Sequence, residues 1–374
     1  FKAYGGSAQI LLTAVVNALI LLPFVLLFTP AGFMSDKFPK NLVMRITAWG
    51  AVVLTLGITV CYYLGWFWPA FAMTFLLAVQ SALHSPAKYG YIKEIVGKEA
   101  LTTANGVVQA TVTSSILAGI FFFSVLFERY LAGQAYGSTG EIMQLVAPVG
   151  WLLVVFSVLE LVMAYRVPEK RQKADELRFD WDRYRRGRYL AENLREAYGN
   201  RVIWLSIVGL SVFWGISQVM LAAFPAFAKE SLGETNTVVI QGAMAAAGIG
   251  IILGSVIAGR VSRGHVETGL VPIGALGVAA ALFLLPGLPS AWAHAFNFLA
   301  LGVLGGFFIV PLNALIQFNT EDEGLGRILA GNNFIQNLVM LGFLGATVAA
   351  AMMESGSVVI IRVLGVVALA GAIY

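Results

Sequence analysis

Seven stretches of this chain contain no Asp, Glu, Lys or Arg: residues 7–35, 46–87, 100–127, 202–228, 235–259, 268–320 and 328–353. A helix needs about 20 apolar residues to cross a bilayer, so most of these runs hold one spanning helix and the two longest hold two. The long runs break at Leu64-Gly65 up to Pro69, and at Pro286-Gly287-Leu288-Pro289, where turn residues cluster. Adding residues 148–166 and 356–374 gives eleven expected spans. Only 12% of the residues are charged, about half the share of a soluble domain. The expected class is an all-α membrane protein. The first run opens within a few residues of Phe1 and the last ends at Tyr374 without a polar flank, so the chain is expected to be a piece of something longer.

Charge placement orients the spans. If Ser7 starts outside, the inner segments are 33–45, 88–99, 166–201, 260–267 and 318–327, and they hold 20 of the 24 Lys and Arg residues. That is the positive-inside pattern, and it puts Trp66, Trp68 and Trp292 at the outer interface as aromatic anchors. The single Cys61 lies mid-span, which leaves no disulfide framework.

The chain also repeats itself. Pro86 with Lys88 two residues on is echoed by Pro311 with Asn313, an offset of 225 residues. Ala104-Asn105-Gly106 with Gln109 is echoed by Ala330-Gly331-Asn332 with Gln336, and Gly32 with Asp36 by Gly259 with Arg263, both at 227. Three echoes in one order at nearly one offset imply two related halves. Between them, residues 166–201 carry 11 basic and 7 acidic residues. Phe179, Trp181, Tyr184, Leu190 and Leu194 in this segment suggest an amphipathic helix on the inner membrane face. Two parallel repeats joined by a basic inner linker are the layout of major facilitator transporters. The expected division is an N-terminal bundle (1–166), a linker (167–201) and a C-terminal bundle (202–374), the two bundles pseudo-symmetric.

Individual motifs sharpen this. Gly32-Phe33-Met34-Ser35-Asp36-Lys37-Phe38-Pro39-Lys40 resembles the Gly-x-x-x-Asp loop between helices two and three of that superfamily. Ser85-Pro86-Ala87-Lys88-Tyr89-Gly90, Ala104-Asn105-Gly106, Phe213-Trp214-Gly215 and the segment from Gly305 to Leu315 resemble the bacterial lysophospholipid transporter family. That family includes forms fused ahead of an acyltransferase and an acyl-carrier-protein synthetase. The resemblance implies a multi-pass protein of the bacterial inner membrane that carries lysophospholipids, such as lysophosphatidylethanolamine, from the outer to the inner leaflet for reacylation. It also implies partners: the lipid substrate, membrane lipids, and a fused or associated acyltransferase and synthetase. The family's first helix, with its Asp-Asn pair, has no counterpart here, so the chain is expected to begin at helix two. Leu221 and Met340 stand where stand-alone members carry charged residues in helices seven and eleven, which speaks against carrying over their ion coupling.

The polar residues inside the spans are the candidate site. Gln80, His84 and Lys88 recur at i, i+4 and i+8 and share one helix face. A lysine inside hydrocarbon either snorkels to the lipid surface or faces a wet cavity. In the second case it is a point-charge partner for a phosphodiester, and His84 adds a hydrogen bond. Trp214 and Gln218 share a face in the seventh family helix, and Asn313 and Gln317 lie one turn apart in the tenth. All four are candidate cavity residues, with interhelical packing as the competing reading. Asn105, Gln109, Asn333, Gln336 and Asn337 read as interhelical hydrogen-bond glue. Asp36, Lys40 and Arg45 form a candidate gating group, in which the acid pairs with a helix end or an arginine. Glu160 is the lone acid well inside a span, a candidate proton carrier or an ion-pair partner for a base such as Arg166.

Enzyme chemistry is poorly served. Three histidines and one cysteine offer no zinc or thiol-nucleophile spacing, none of the histidines is followed four residues later by Asp, and no Gly-Lys-Ser/Thr phosphate loop occurs. No cofactor, metal or nucleic-acid partner is expected. Two rival readings share the architecture: an exporter of a small hydrophobic drug or metabolite, and a non-transporting membrane anchor for a fused enzyme.

Overall fold

The computed structural model describes residues 19–169, 177–234, 237–353 and 356–373. Residues 7–18 of the first expected span and 170–176 of the linker lie outside the described residues. The described elements are helices: α1 (Leu19–Leu26), α2 (Phe28–Lys37), α3 (Lys40–Leu64), α4 (Phe67–Val96), α5 (Leu101–Leu131), α6 (Thr139–Arg166), α7 (Trp181–Arg185), α8 (Arg188–Gly199), α9 (Arg201–Leu232), α10 (Thr237–Val261), α11 (Leu270–Leu284), α12 (Ala291–Asn319), α13 (Leu325–Met352) and α14 (Ser357–Ile373).

Among the described residues nine helices are long and apolar enough to cross a membrane, or ten if α1 and α2 form one span bent by 56°. Helix α14, at 17 residues, falls short of that length. The bend has a local cause. Pro30 lacks an N–H and its ring crowds the carbonyl of Leu26, four residues back. That carbonyl instead accepts a 3.4 Å hydrogen bond from the Tyr184 hydroxyl. The breaks read from the sequence lie where turn chemistry puts them. Gly65 ends α3 in the left-handed conformation (φ 69°), and Leu285–Gly287 form a single 3₁₀ turn after α11. Many large apolar side chains are exposed, Phe121, Trp151 and Trp292 among them. In water they would form adhesive patches; against lipid tails they are ordinary.

The chain forms two compact units, and neither is contiguous in sequence. The first comprises Phe1–Ile95, Ala118–Arg195 and Asp322–Phe334; the second comprises Val96–Leu117, Glu196–Glu321 and Ile335–Tyr374. In the first, α3 packs along α6, with a 2.8 Å hydrogen bond between the Thr55 and Ser157 hydroxyls. In the second, α10 and α12 meet through two facing Gly-x-x-x-Gly motifs, Gly250/Gly254 and Gly302/Gly306. A Cβ on Gly302 would overlap the Ala247 carbonyl, and one on Gly306 would stand 2.6 Å from the Ser255 nitrogen. Small residues let the backbones approach closely where apolar side chains gain little by leaving lipid.

The linker contains an amphipathic helix, α8, as expected, with a short helix ahead of it. Helices α7 and α8 are separated at Gly187 (φ 66°), a conformation that glycine adopts without penalty. Phe179, just before α7, packs against Phe33, Trp181, Tyr184 and Tyr189, with ring centroids 5.0–5.6 Å apart.

Candidate functional site

Within the first unit, the α4 face read from the sequence turns toward α3 and α6. Gln80 is half-buried beside Gly50. One turn on, His84 Nδ1 lies 2.8 Å from the Thr47 hydroxyl and 4.0 Å from the Glu160 carboxylate. The Thr47 hydroxyl has a single proton, and the Val43 carbonyl, one turn back at 2.9 Å, accepts it. With that bond made, the Thr47 oxygen can accept from His84 Nδ1. Lys88 is half-buried, with its ammonium 4.6 Å from the Tyr89 ring centroid. Among the described residues no carboxylate lies within ion-pair distance of it. Thr47, His84, Lys88 and Glu160 therefore place one cation, one anion and one imidazole on facing helices. Of these four, Thr47 carried no signal in the sequence. It sits unremarkably in a charge-free run, and only the packing of α3 on α4 reveals it.

The second unit holds the other candidates. Trp214 is half-buried, its ring 5.4 Å from that of Phe213, and Gln218 is half-buried one turn on. Asn313 is half-buried and donates to its own helix, at the Ile309 carbonyl (3.0 Å). Gln317 differs from the cavity role expected of it. It is fully buried and exchanges hydrogen bonds with Asn105 in both directions, at 2.9 and 3.3 Å. This reciprocal amide pair joins α5 to α12 within the buried interior. The expectation of glue holds for Asn105, and Asn333 bonds to the Ser85 hydroxyl at 2.9 Å.

Asp36, Lys40 and Arg45 are not one constellation. Each performs a separate task in the first unit. The Asp36 carboxylate accepts from the backbone N–H groups of Gly326 (2.7 Å) and Arg327 (3.1 Å), with Arg327 Nε at 3.4 Å. It thus meets both the helix end and the arginine that the sequence suggested, at the positive N-terminus of α13. Gly32 permits this approach, since a Cβ there would stand 2.9 Å from Arg327 Cα. Lys40 instead pairs with Glu94. Arg45 closes the end of α6, donating to the Ala164, Tyr165 and Val167 carbonyls at 3.1–3.4 Å. An Asp36→Asn variant can offer an acceptor to only one of the two N–H groups. It is expected to lose about 1–3 kcal/mol, seen as a lower unfolding temperature in detergent, whereas an Asp36→Glu variant keeps the charge and recovers part of it.

A sequence model of the Major Facilitator Superfamily matches residues 2–346. The lysophospholipid transporter LplT of Serratia proteamaculans is 30% identical over 344 residues, covering 88% of this chain and 76% of its own. That of Yersinia enterocolitica is 30% identical over 347 residues, covering 88% and 75%. The chain belongs to the lysophospholipid transporter family of the major facilitator superfamily. Solved structures agree on the fold of this transporter. A human organic anion transporter aligns with a TM-score of 0.77 at 12% identity, over 97% of this chain and 83% of its own. A proton:xylose symporter aligns with 0.71 at 14%, over 99% and 86%.

Beyond the residues expected from sequence, the first unit of the transporter also carries a long-range charge contact. Lys93, buried on the last turn of α4, pairs at 2.7 Å with Asp322, just ahead of α13. The chain alone had shown Lys93 only as one of the inner basic residues. Nothing in local periodicity links it to an acid more than 200 positions away.

Proposed function

We propose that this transporter moves lysophospholipids from the outer to the inner leaflet of a bacterial inner membrane, by alternating access between its two sequence halves. The reading rests on one observation above the others. A chain similar over most of its length to named lysophospholipid transporters places Lys88, His84 and Glu160 together inside otherwise apolar helices. A zwitterionic phosphoethanolamine headgroup needs both signs of charge. Lys88 suits the phosphodiester as a point charge, and the Glu160 carboxylate suits the ammonium. The acyl chain needs only apolar helix faces.

The test is uptake of fluorescent lysophosphatidylethanolamine into proteoliposomes. A charge-assisted hydrogen bond contributes about 1.5–3 kcal/mol, so Lys88→Ala is expected to slow uptake about ten-fold or more. Glu160→Gln should slow lysophosphatidylethanolamine while sparing lysophosphatidylglycerol, which has no ammonium. Wild-type vesicles that take up a small hydrophobic drug but no lysophospholipid would favour the exporter reading instead.

A further inference from the structure

The second unit contains an apolar cavity of about 500 Å³ between α9, α11, α12 and α14. Its lining has no charged residue, and Ser206 and Thr268 are its only polar side chains. Small residues create the space. Ala275 and Gly371 line it where larger side chains would fill it, and Phe308 packs closely on Gly209 at its wall. From Val202 to Ile216 the cavity follows α9 for about 21 Å at 1.5 Å per residue. Its far end reaches beyond the depth of one leaflet, about 15 Å, half the hydrocarbon thickness. Its other end lies where α9 and α11 begin, the inner side by charge placement, and the exposed Arg201 immediately precedes Val202, which lines it.

We infer that this cavity holds the single acyl chain of a lysophospholipid, with the headgroup phosphate at Arg201 on the inner side. An apolar pocket favours an apolar guest, since each methylene buried there adds to the stabilisation. A methylene is close in size to a water molecule, whose share of liquid volume is about 30 Å³. A volume of about 500 Å³ is then on the scale of one acyl chain. Position and charge suit the state after the headgroup has reached the inner side. The inference rests on the lysophospholipid reading and adds to it a place for the tail.

The test is photolabelling in proteoliposomes with lysophosphatidylethanolamine carrying a diazirine near the end of its chain, followed by peptide mapping. Label is expected on 205–216, 271–278 and 368–373, competed by unlabelled lysophosphatidylethanolamine. Gly371→Leu and Ala275→Leu, each placing a larger side chain in the cavity, should cut it about ten-fold, in material first shown to be monodisperse. Wild-type label confined to other helices, while uptake persists, overturns the cavity assignment and leaves the transport reading standing. Equal labelling by a diazirine diacyl phosphatidylethanolamine overturns it too, since the occupant is then ordinary membrane lipid. Wild-type vesicles that take up no lysophosphatidylethanolamine defeat both readings together.

Discussion

Replacing Lys40 by methionine is expected to destabilise the protein by about 3–5 kcal/mol, the cost of breaking a buried ion pair from one side. The Lys40 side chain is 1% exposed and that of Glu94 11%. The lysine reaches Glu94 across Gly90, where a Cβ would stand 2.7 Å from Lys40 Cε. This glycine opens the channel in which the lysine stem lies. Methionine fills the same channel with an apolar chain and leaves the Glu94 carboxylate unpaired and poorly solvated. The double variant Lys40→Met/Glu94→Leu removes both charges and should recover most of the loss, because an apolar pair of similar volume often replaces a buried ion pair at little cost. Thermal unfolding in detergent, with wild type, both single variants and the double, closes the cycle. A Lys40→Met protein as stable as wild type would show that the pair is dispensable, and a double variant no better than the single would show that the loss does not come from the unpaired carboxylate.

The other large effect is expected at the α10–α12 seam. Gly302→Val should leave little or no folded protein. Its Cβ would overlap the Ala247 carbonyl, and a backbone atom cannot rotate aside as a side chain can. Overpacking against side chains costs about 1–3 kcal/mol; here two whole helices must separate, and the facing contact at Gly250 is lost with them. Gly331→Ala is the matched control. It lies within α13 with nothing inside 4 Å of the added carbon, so it should be neutral or slightly stabilising through the lower entropy of its unfolded chain. Fluorescence-detected size exclusion of both variants after mild heating distinguishes them. A monodisperse Gly302→Val protein would mean that the seam tolerates wider spacing than its glycines suggest.

These two cases show how differently residue types announce their roles. The α4 triad was legible because helical periodicity is local: residues four apart share a face in any α-helix, so Gln80, His84 and Lys88 had to align. Asp36 was legible in part, because its glycine spacing marks a loop that meets another helix. Lys40 and Arg45 sat in the same stretch and looked like its companions. In the fold they turn to α4 and α6, since neighbours along a chain that enters a new helix point in different directions. Gln317 shared a face with Asn313 yet ended in a dry amide pair, because the side chain opposite it, Asn105, comes from a helix 212 residues away.

The sequence by itself determined that this chain spans a membrane as helices, where they break, and which ends carry the basic residues. Those properties follow from runs of apolar residues, from proline and glycine backbone chemistry and from the counting of charges, all readable along the chain. Only the tertiary structure decided which polar groups are satisfied by protein and which are left open to a ligand: the Thr47–His84–Glu160 contact, the partners of Asp36, Lys40 and Lys93, and the apolar cavity of the second unit. A hydrogen bond or a void is a property of two surfaces brought together, and the second surface is set by packing rather than by the neighbouring residues in the chain.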